Sequence, residues 1–283
     1  MNERLERLHP EWRPRVAEAV DWLEKRGFTA PVALVLGSGL GNVVDALDDV
    51  VAVDYAEIPG YAATSVAEHK GRLVRGRASG RDLLVMQGRL HPYEGLPTRE
   101  LLLPTAVLAG LGVHTVLITN AAGGLNRFFK PGDLMVIRDQ LDMHWHDPLR
   151  GLLAPIAGGP RGRIPSTLYD VDLARELQAA GAASNVTLHS GTYGSMWGPA
   201  YETKAEIGML RRVGCDSVGM STAPEVSLLV ALGVKVAGLS CITNPARETG
   251  QPELSHQDVV EVGLLVRDRM ARLLLEFLPR LPE

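Results

Sequence analysis

Cysteine is nearly missing: Cys215 and Cys241 are the two in a chain of 283 residues, with no C-x-x-C pair. That gives no support to a disulfide framework or a zinc ribbon and makes a reducing cytoplasm the natural setting, with two buried free thiols. An excess of either charge is missing too. Against 33 Asp and Glu stand 29 Lys and Arg, a formal balance of −4. A chain so balanced offers no electrostatic footprint for nucleic acid or an anionic membrane. Long hydrophobic runs are also lacking. The most apolar stretch, 101–118, is broken by Pro104, Gly110, Gly112 and His114, and reads as a buried helix followed by a buried strand. The opening residues, MNERLERLHPEWRP, are too polar for a secretory signal.

What is present suffices for a folded core, with 46% hydrophobic and 22% charged residues. No composition break marks a boundary, so residues 1–283 read as a single domain. Apolar positions at helical spacing (Val16, Ala19, Val20, Leu23) predict a helix over 11–27. Short runs rich in Val, Ile and Leu follow at 32–36, 50–54, 82–86, 113–118, 133–137 and 233–239. Helical patterns lie at 98–110, 170–181, 202–213, 223–232 and 256–278. Apolar strands separated by helices predict a sheet covered on both faces. Neighbours such as 50–54 and 82–86 have no helix between them, which predicts a mixed sheet with antiparallel members. A long loop rich in Gly, Pro and Arg spans 142–166.

The stretch LVLGSGLGNVVDAL, 34–47, ends an apolar run in Gly37, Gly39 and Gly41 around Ser38. As a dinucleotide fingerprint it is imperfect. Asn42 stands where the third glycine belongs, and the segment before Asp54, the candidate ribose acid, is too short for a crossover helix. No Gly-Lys-Ser/Thr completes a phosphate loop, and Ser38 lies outside a G-x-S-x-G elbow. Two readings remain: a nest of amides and the Ser38 hydroxyl around a small oxyanion, or a tight turn that holds nothing.

Other segments favour the anion. QGRLHPYEG, 87–95, sets Arg89, His91 and Tyr93 at alternate positions, on one side if the strand continues through them. TNAAGGLN, 119–126, ends a strand in a small glycine-rich turn whose amides, from Ala121 onward, can meet an anion or a flat ring. GPAYET, 198–203, leads into a helix with Tyr201 and Glu202 at its mouth, where a helix-dipole acid is the ordinary explanation of Glu202. VGMSTAPE, 218–225, carries Met220 and Ser221; CITNPA, 241–246, carries Asn244; LSHQDVV, 254–260, puts His256 at a helix start. Strand ends closing in small and polar residues are how an open α/β sheet builds a site. DMHWHD, 142–147, lacks the His spacing of a zincin, and no obvious nucleophile is present. His114 and His189 read as residues flanking strands, and Arg211 and Arg212 as a solvated helix end.

GSGLG, GRLHPYEG, TNAAGGLN, GPAYET, VGMSTAPE and ITNPA, in this order over about 31–270, resemble the motifs of the trimeric purine nucleoside phosphorylases. The resemblance implies an α/β fold with a mixed, partly barrel-like central sheet flanked by helices on both faces. It implies phosphorolysis of 6-oxopurine (deoxy)ribonucleosides, no cofactor and no metal, inorganic phosphate as a substrate, and a cytoplasmic homotrimer with sites near subunit interfaces. On matching positions it puts phosphate on Ser38, His69, Arg89, His91, the Ala121 amide and Ser221. Ribose falls to Tyr93, Met220 and His256, and the purine to Glu202 and Asn244. Asn244, Glu202 and His91 are the catalytic candidates. The family's loop supplies a Phe from the neighbouring subunit over the ribose; here 142–166 holds no Phe, with Pro160 near that position and Trp145 and Ile164 as substitutes. Pro245 follows Asn244 and is expected to stiffen that segment. The competing readings are a methylthioadenosine or adenosine phosphorylase, a phosphate-independent nucleoside hydrolase, a nucleoside-binding protein without catalysis, and a dinucleotide oxidoreductase.

Overall fold

A computed structural model describes residues 3–63, 70–144, 147–155, 165–246 and 256–282. His69, Trp145, His146, Pro160, Ile164 and Ser255 lie outside the described residues, as does the side chain of His256. In chain order the elements are α1 (Glu3–Glu6), α2 (Arg13–Glu24), β1 (Val32–Leu36), β2 (Asp48–Asp54), β3 (Arg72–Ala78), β4 (Arg81–Gln87), α3 (Thr98–Leu101), α4 (Leu103–Gly110), β5 (Thr115–Gly124) and β6 (Leu134–Asp142). Then follow α5 (Val171–Ala183), β7 (Leu188–Ser195), α6 (Lys204–Arg212), β8 (Ser217–Gly219), α7 (Ala223–Ala231), β9 (Lys235–Pro245) and α8 (His256–Phe277).

The strands form one mixed sheet in the order β2-β3-β4-β1-β5-β8-β7-β6-β9, and β9 pairs back onto β5. That last pairing closes β5, β8, β7, β6 and β9 into a barrel, leaving β2, β3, β4 and β1 as an open extension from β5. The barrel is closed by a long parallel register that runs from Thr115↔Lys235 to Gly124↔Pro245.

Period-two alternation explains why both faces are covered. Ala33 and Val35 of β1 turn to a core shared with α2, α4 and α7, whereas Val32, Leu34 and Leu36 turn to a second core under α5 and α8. Residues 266, 270, 273, 274 and 277 of α8 are buried, the i, i+4, i+7, i+8 stripe of a helix lying on a core. Strand β2 departs from the expectation of a doubly covered sheet. It is the outer edge, and Val50 and Val51 stand about half exposed there.

Two glycines of the 37–41 loop are fixed by close approach. A Cβ on Gly37 would stand 2.7 Å from the Asn120 Cα of β5. From the other side, a Cβ on Gly263 of α8 would stand 2.7 Å from the Cα of Gly39, whose φ of +76° suits glycine. The loop is thus pressed between a strand and a helix.

Sequence expectation and structure diverge at three points. β5 and β9 run on through TNAAGG and TNP as paired strand, where a turn and a strand end were expected. β7 and β8 were not foreseen. Arg211 is no solvated helix end, for its Nε donates to the Leu125 carbonyl at 2.8 Å and its Nη2 to the Ala246 carbonyl at 2.6 Å. Both cysteines are buried and free, as expected. Among the described residues no helix is long and apolar enough to cross a membrane.

Candidate active site

The C-terminal ends of β1, β4, β5 and β9, together with β8 and the segment before α6, open on a cleft of about 690 Å³, counting the space open to solvent. Nine of the residues given a binding role from the sequence line it: Ser38, Arg89, His91, Tyr93, Ala121, Glu202, Met220, Ser221 and Asn244. They arrive from separate elements, so the cleft is a product of the fold.

One corner is rich in hydrogen-bond donors around a buried arginine. Arg89 is buried, and its Nη1 donates to Ser221 Oγ at 3.0 Å and to Thr222 Oγ1 at 3.3 Å. Its Nε stands 3.6 Å from the buried Glu225 carboxylate. Arg89, His91 and Tyr93 do reach the cleft together, but not by continuing a strand. β4 stops at Gln87, Gly88 takes a φ of +113°, and Pro92–Glu94 form a single 3-10 turn. Glu94 Oε1 accepts from the His91 amide at 2.7 Å and lies 3.2 Å from His91 Nδ1, so the carboxylate sets which ring nitrogen is turned inward. The imidazole stacks on Tyr93 with centroids 4.9 Å apart.

The amide nest expected at the glycine loop is corrected in part. The Gly37 amide donates to Thr119 Oγ1 at 3.0 Å and so points into the sheet, although Ser38 itself faces the cleft.

The opposite corner holds a carboxylate and a carboxamide. Glu202 precedes α6 rather than opening it; Thr203 caps the helix and Glu206 is the residue of its first turn. Glu202 is therefore not the helix-dipole acid. Burial, reinforced by the Glu206 charge, pushes its carboxyl above the usual glutamate range. Asn244 is buried, and its Oδ1 accepts from Thr243 Oγ1 at 3.0 Å. Close packing positions both sides of the cleft. A Cβ on Gly123 would meet Asn244 Nδ2 at 3.4 Å, and one on Gly198 would meet Met220 Sδ at 2.5 Å and Tyr93 Cδ1 at 2.8 Å.

His144 is settled by its partners. Asp142 Oδ1 lies 2.5 Å from its Nδ1 and the Met196 carbonyl 3.2 Å from its Nε2, which makes it a bracket between β6 and the segment after β7. Sequence reasoning passed over Asn120, Thr222, Tyr193, Ser195 and Glu225, all of which stand at or behind the Arg89 corner. One signal was available: Thr222-x-x-Glu225 is a capping box.

The cleft at the barrel's rim thus sets a buried arginine and several hydroxyls across from a carboxylate and a carboxamide, the polar lining of an α/β enzyme's site. A family model described as "Phosphorylase superfamily" matches residues 31–279. Purine nucleoside phosphorylase 1 of Bacillus subtilis is 38% identical over 251 residues, covering 88% of this chain and 92% of that protein. The purine nucleoside phosphorylase of Bos taurus is 39% identical over 254 residues, covering 87% and 88%. Among solved structures, Schistosoma mansoni purine nucleoside phosphorylase in complex with inosine superposes with a TM-score of 0.86 at 33% identity, covering 95% of this chain and 97% of that one. The same enzyme in complex with adenosine gives 0.85 at 31% identity, covering 95% and 98%. The chain belongs to the phosphorylase superfamily, within its purine nucleoside phosphorylases, and is a pentosyltransferase.

Proposed function

We propose that this enzyme phosphorolyses 6-oxopurine nucleosides, inosine and guanosine, to the free base and α-(deoxy)ribose 1-phosphate. The observation that carries the reading is the pairing, in one cleft, of the Arg89–Ser221 corner with Glu202 and Asn244. Phosphate is held by Ser38, Arg89, His91, the Ala121 amide and Ser221, where a planar guanidinium and neutral donors suit an oxyanion. Phosphate oxygen attacks C1′ as the bond to the purine nitrogen breaks, through a state with oxocarbenium character. The bonding pair of the glycosidic bond leaves with the purine. The proton that hydrogenphosphate loses on becoming the ester is balanced by the one the purine gains at N7 from solvent, and the Asn244 oxygen accepts from that N7–H while its NH₂ donates to O6. Glu202 accepts from N1–H, and Tyr93 and Met220 cover the sugar. Donors fixed in place before the reaction are commonly the largest catalytic term. Phosphate is the second substrate, no electron changes hands, and no cofactor enters the balance.

Asn244 decides the base in this reading. A carboxamide presents a donor to a 6-oxo group, whereas Asp at this position would accept from a 6-amino group. Sites built on one hydrogen-bond pattern reject the other by factors of ~10⁴. The adenosine complex of the Schistosoma relative supports a second reading, in which 6-aminopurines are also taken. Turnover of inosine, guanosine and adenosine against phosphate concentration separates these. The expected result is saturable dependence on phosphate with inosine and guanosine far ahead. Turnover without phosphate would mean a hydrolase. For Asn244→Asp, kcat/KM is expected to fall for inosine and rise for adenosine.

The assembly we infer is a homotrimer, supported by the resemblance of the motifs to the trimeric family. Sedimentation equilibrium should return three times the chain mass.

A further inference from the structure

Behind the anion corner the backbone is strained at a residue that does not line the cleft. Thr222 has φ +75° and ψ −54°, and the Ala223 amide donates to the Ser221 carbonyl at 2.8 Å. This is the γ-turn that side-chain-bearing residues adopt rarely and at a cost. A β-branched residue is the least suited to it.

The surroundings hold the turn in place from both ends. The Ser221 carbonyl accepts from Ser195 Oγ at 2.9 Å and from Tyr193 Oη at 3.2 Å as well as from Ala223. The Thr222 amide donates to Glu225 Oε2 at 3.0 Å. Gly219 leaves room for this arrangement, because a Cβ there would stand 2.6 Å from Tyr193 Oη.

The turn puts the Thr222 hydroxyl among three polar neighbours. It accepts from Asn120 Nδ2 at 2.9 Å and from Arg89 Nη1 at 3.3 Å, and lies 3.1 Å from Ser221 Oγ. A hydroxyl has two lone pairs and one proton. With both lone pairs engaged, Thr222 donates its proton to Ser221 Oγ. Ser221 Oγ also accepts from Arg89 Nη1 at 3.0 Å, so its own lone pairs are filled as well. Its proton then has one direction left, toward the cleft that Ser221 lines.

We propose that Thr222 is a positioning residue that fixes the polarity of the anion corner: its hydroxyl, held by the γ-turn, makes Ser221 a donor to phosphate and holds Arg89 Nη1 in register. The proposal rests on the reading of this corner as the phosphate site. Thr222→Val removes the hydroxyl and keeps the shape. Thr222→Gly removes it and accepts φ above zero without strain, so it remains informative if the valine variant does not fold. Thr222→Ser retains the hydroxyl.

In steady-state kinetics, Val and Gly are expected to raise KM for phosphate about ten-fold or more, because a hydrogen bond to a charged ligand is among the strong ones. KM for inosine should stay within about threefold, since the opposite corner is untouched and a threefold change is well under the tenfold of 1.4 kcal/mol. Calorimetric affinity for hypoxanthine without phosphate should not change, and Ser should restore the phosphate KM. The proposal is overturned if Val and Gly leave the phosphate KM at the parent value. It is equally overturned if both KM values and hypoxanthine affinity move together, or if Ser fails to restore. Arg89→Gln and Ser221→Ala separate the underlying reading: if neither raises the phosphate KM, the corner is not the phosphate site. If they do and the Thr222 variants do not, the role of Thr222 alone is lost.

Discussion

At the scale of single residues, much of the site is held by what cannot be enlarged. Gly37 faces the backbone of Asn120 and Thr119, which has no flexible side chain to yield. Gly37→Ala is therefore expected to cost roughly 1–3 kcal/mol, the usual range for overpacking, read as a lower urea midpoint at unchanged slope. The thiols give a second expectation. Burial pushes Cys215 up to about 11 and Cys241 up to about 12, so at pH 8 neither holds an appreciable thiolate. A thiol reagent should label the native protein slowly and the denatured protein fully. Glu202 gives a third. Its raised pKa means that the carboxylate is lost at a higher pH than for an ordinary glutamate near ~4.3. The acid limb of kcat/KM for inosine should sit above that value and vanish in Glu202→Gln. Arg89, His91, Glu202 and Asn244 were legible in the chain because their chemistry is scarce and specific: an Arg, a His, a Glu and an Asn set beside small, glycine-rich segments have few ordinary uses together. Thr222 and Asn120 were not, since a Thr and an Asn gain meaning here only from a γ-turn and a partner 102 residues away.

At the scale of elements, TNAAGG shows why the strand ends were misread. Small residues have low strand propensity and usually mark a turn. Here they are small because the barrel is narrow: a Cβ on Gly124 would meet Ile242 Cγ2 of β9 at 3.0 Å, and pairing with β9 and β8 holds the segment extended. Tertiary closeness chose the residues, so local propensity pointed the wrong way. The continuous apolar runs of β1 and β4 pointed the right way because both of their faces are covered. α7 begins with a second kind of coupling. Glu225 both caps Thr222 and neutralises Arg89, with all three buried. Glu225→Ala leaves a buried guanidinium without its carboxylate and should destabilise the protein by roughly 3–5 kcal/mol, measurable by denaturant unfolding.

At the scale of the molecule, the open strands β2, β3, β4 and β1 and the closed barrel meet at β5, and the cleft lies along that meeting. Ser38 and Arg89 come from the open side; Ser221 and Asn244 belong to the closed side. The ring that joins them is sealed by β5 and β9, whose paired residues stand about 120 positions apart, as in Ala121↔Cys241. The consequence reaches into biosynthesis. A chain emerging N-terminus first has made Ser38, Arg89 and Asn120 long before the strand that completes the ring exists. Pairings of such long range form late and slowly. Catalytic competence should therefore appear all at once and at the end. In refolding, activity is expected to return with the slowest spectroscopic phase, and a nascent chain halted before β9 should turn over nothing however much of the open sheet has already formed.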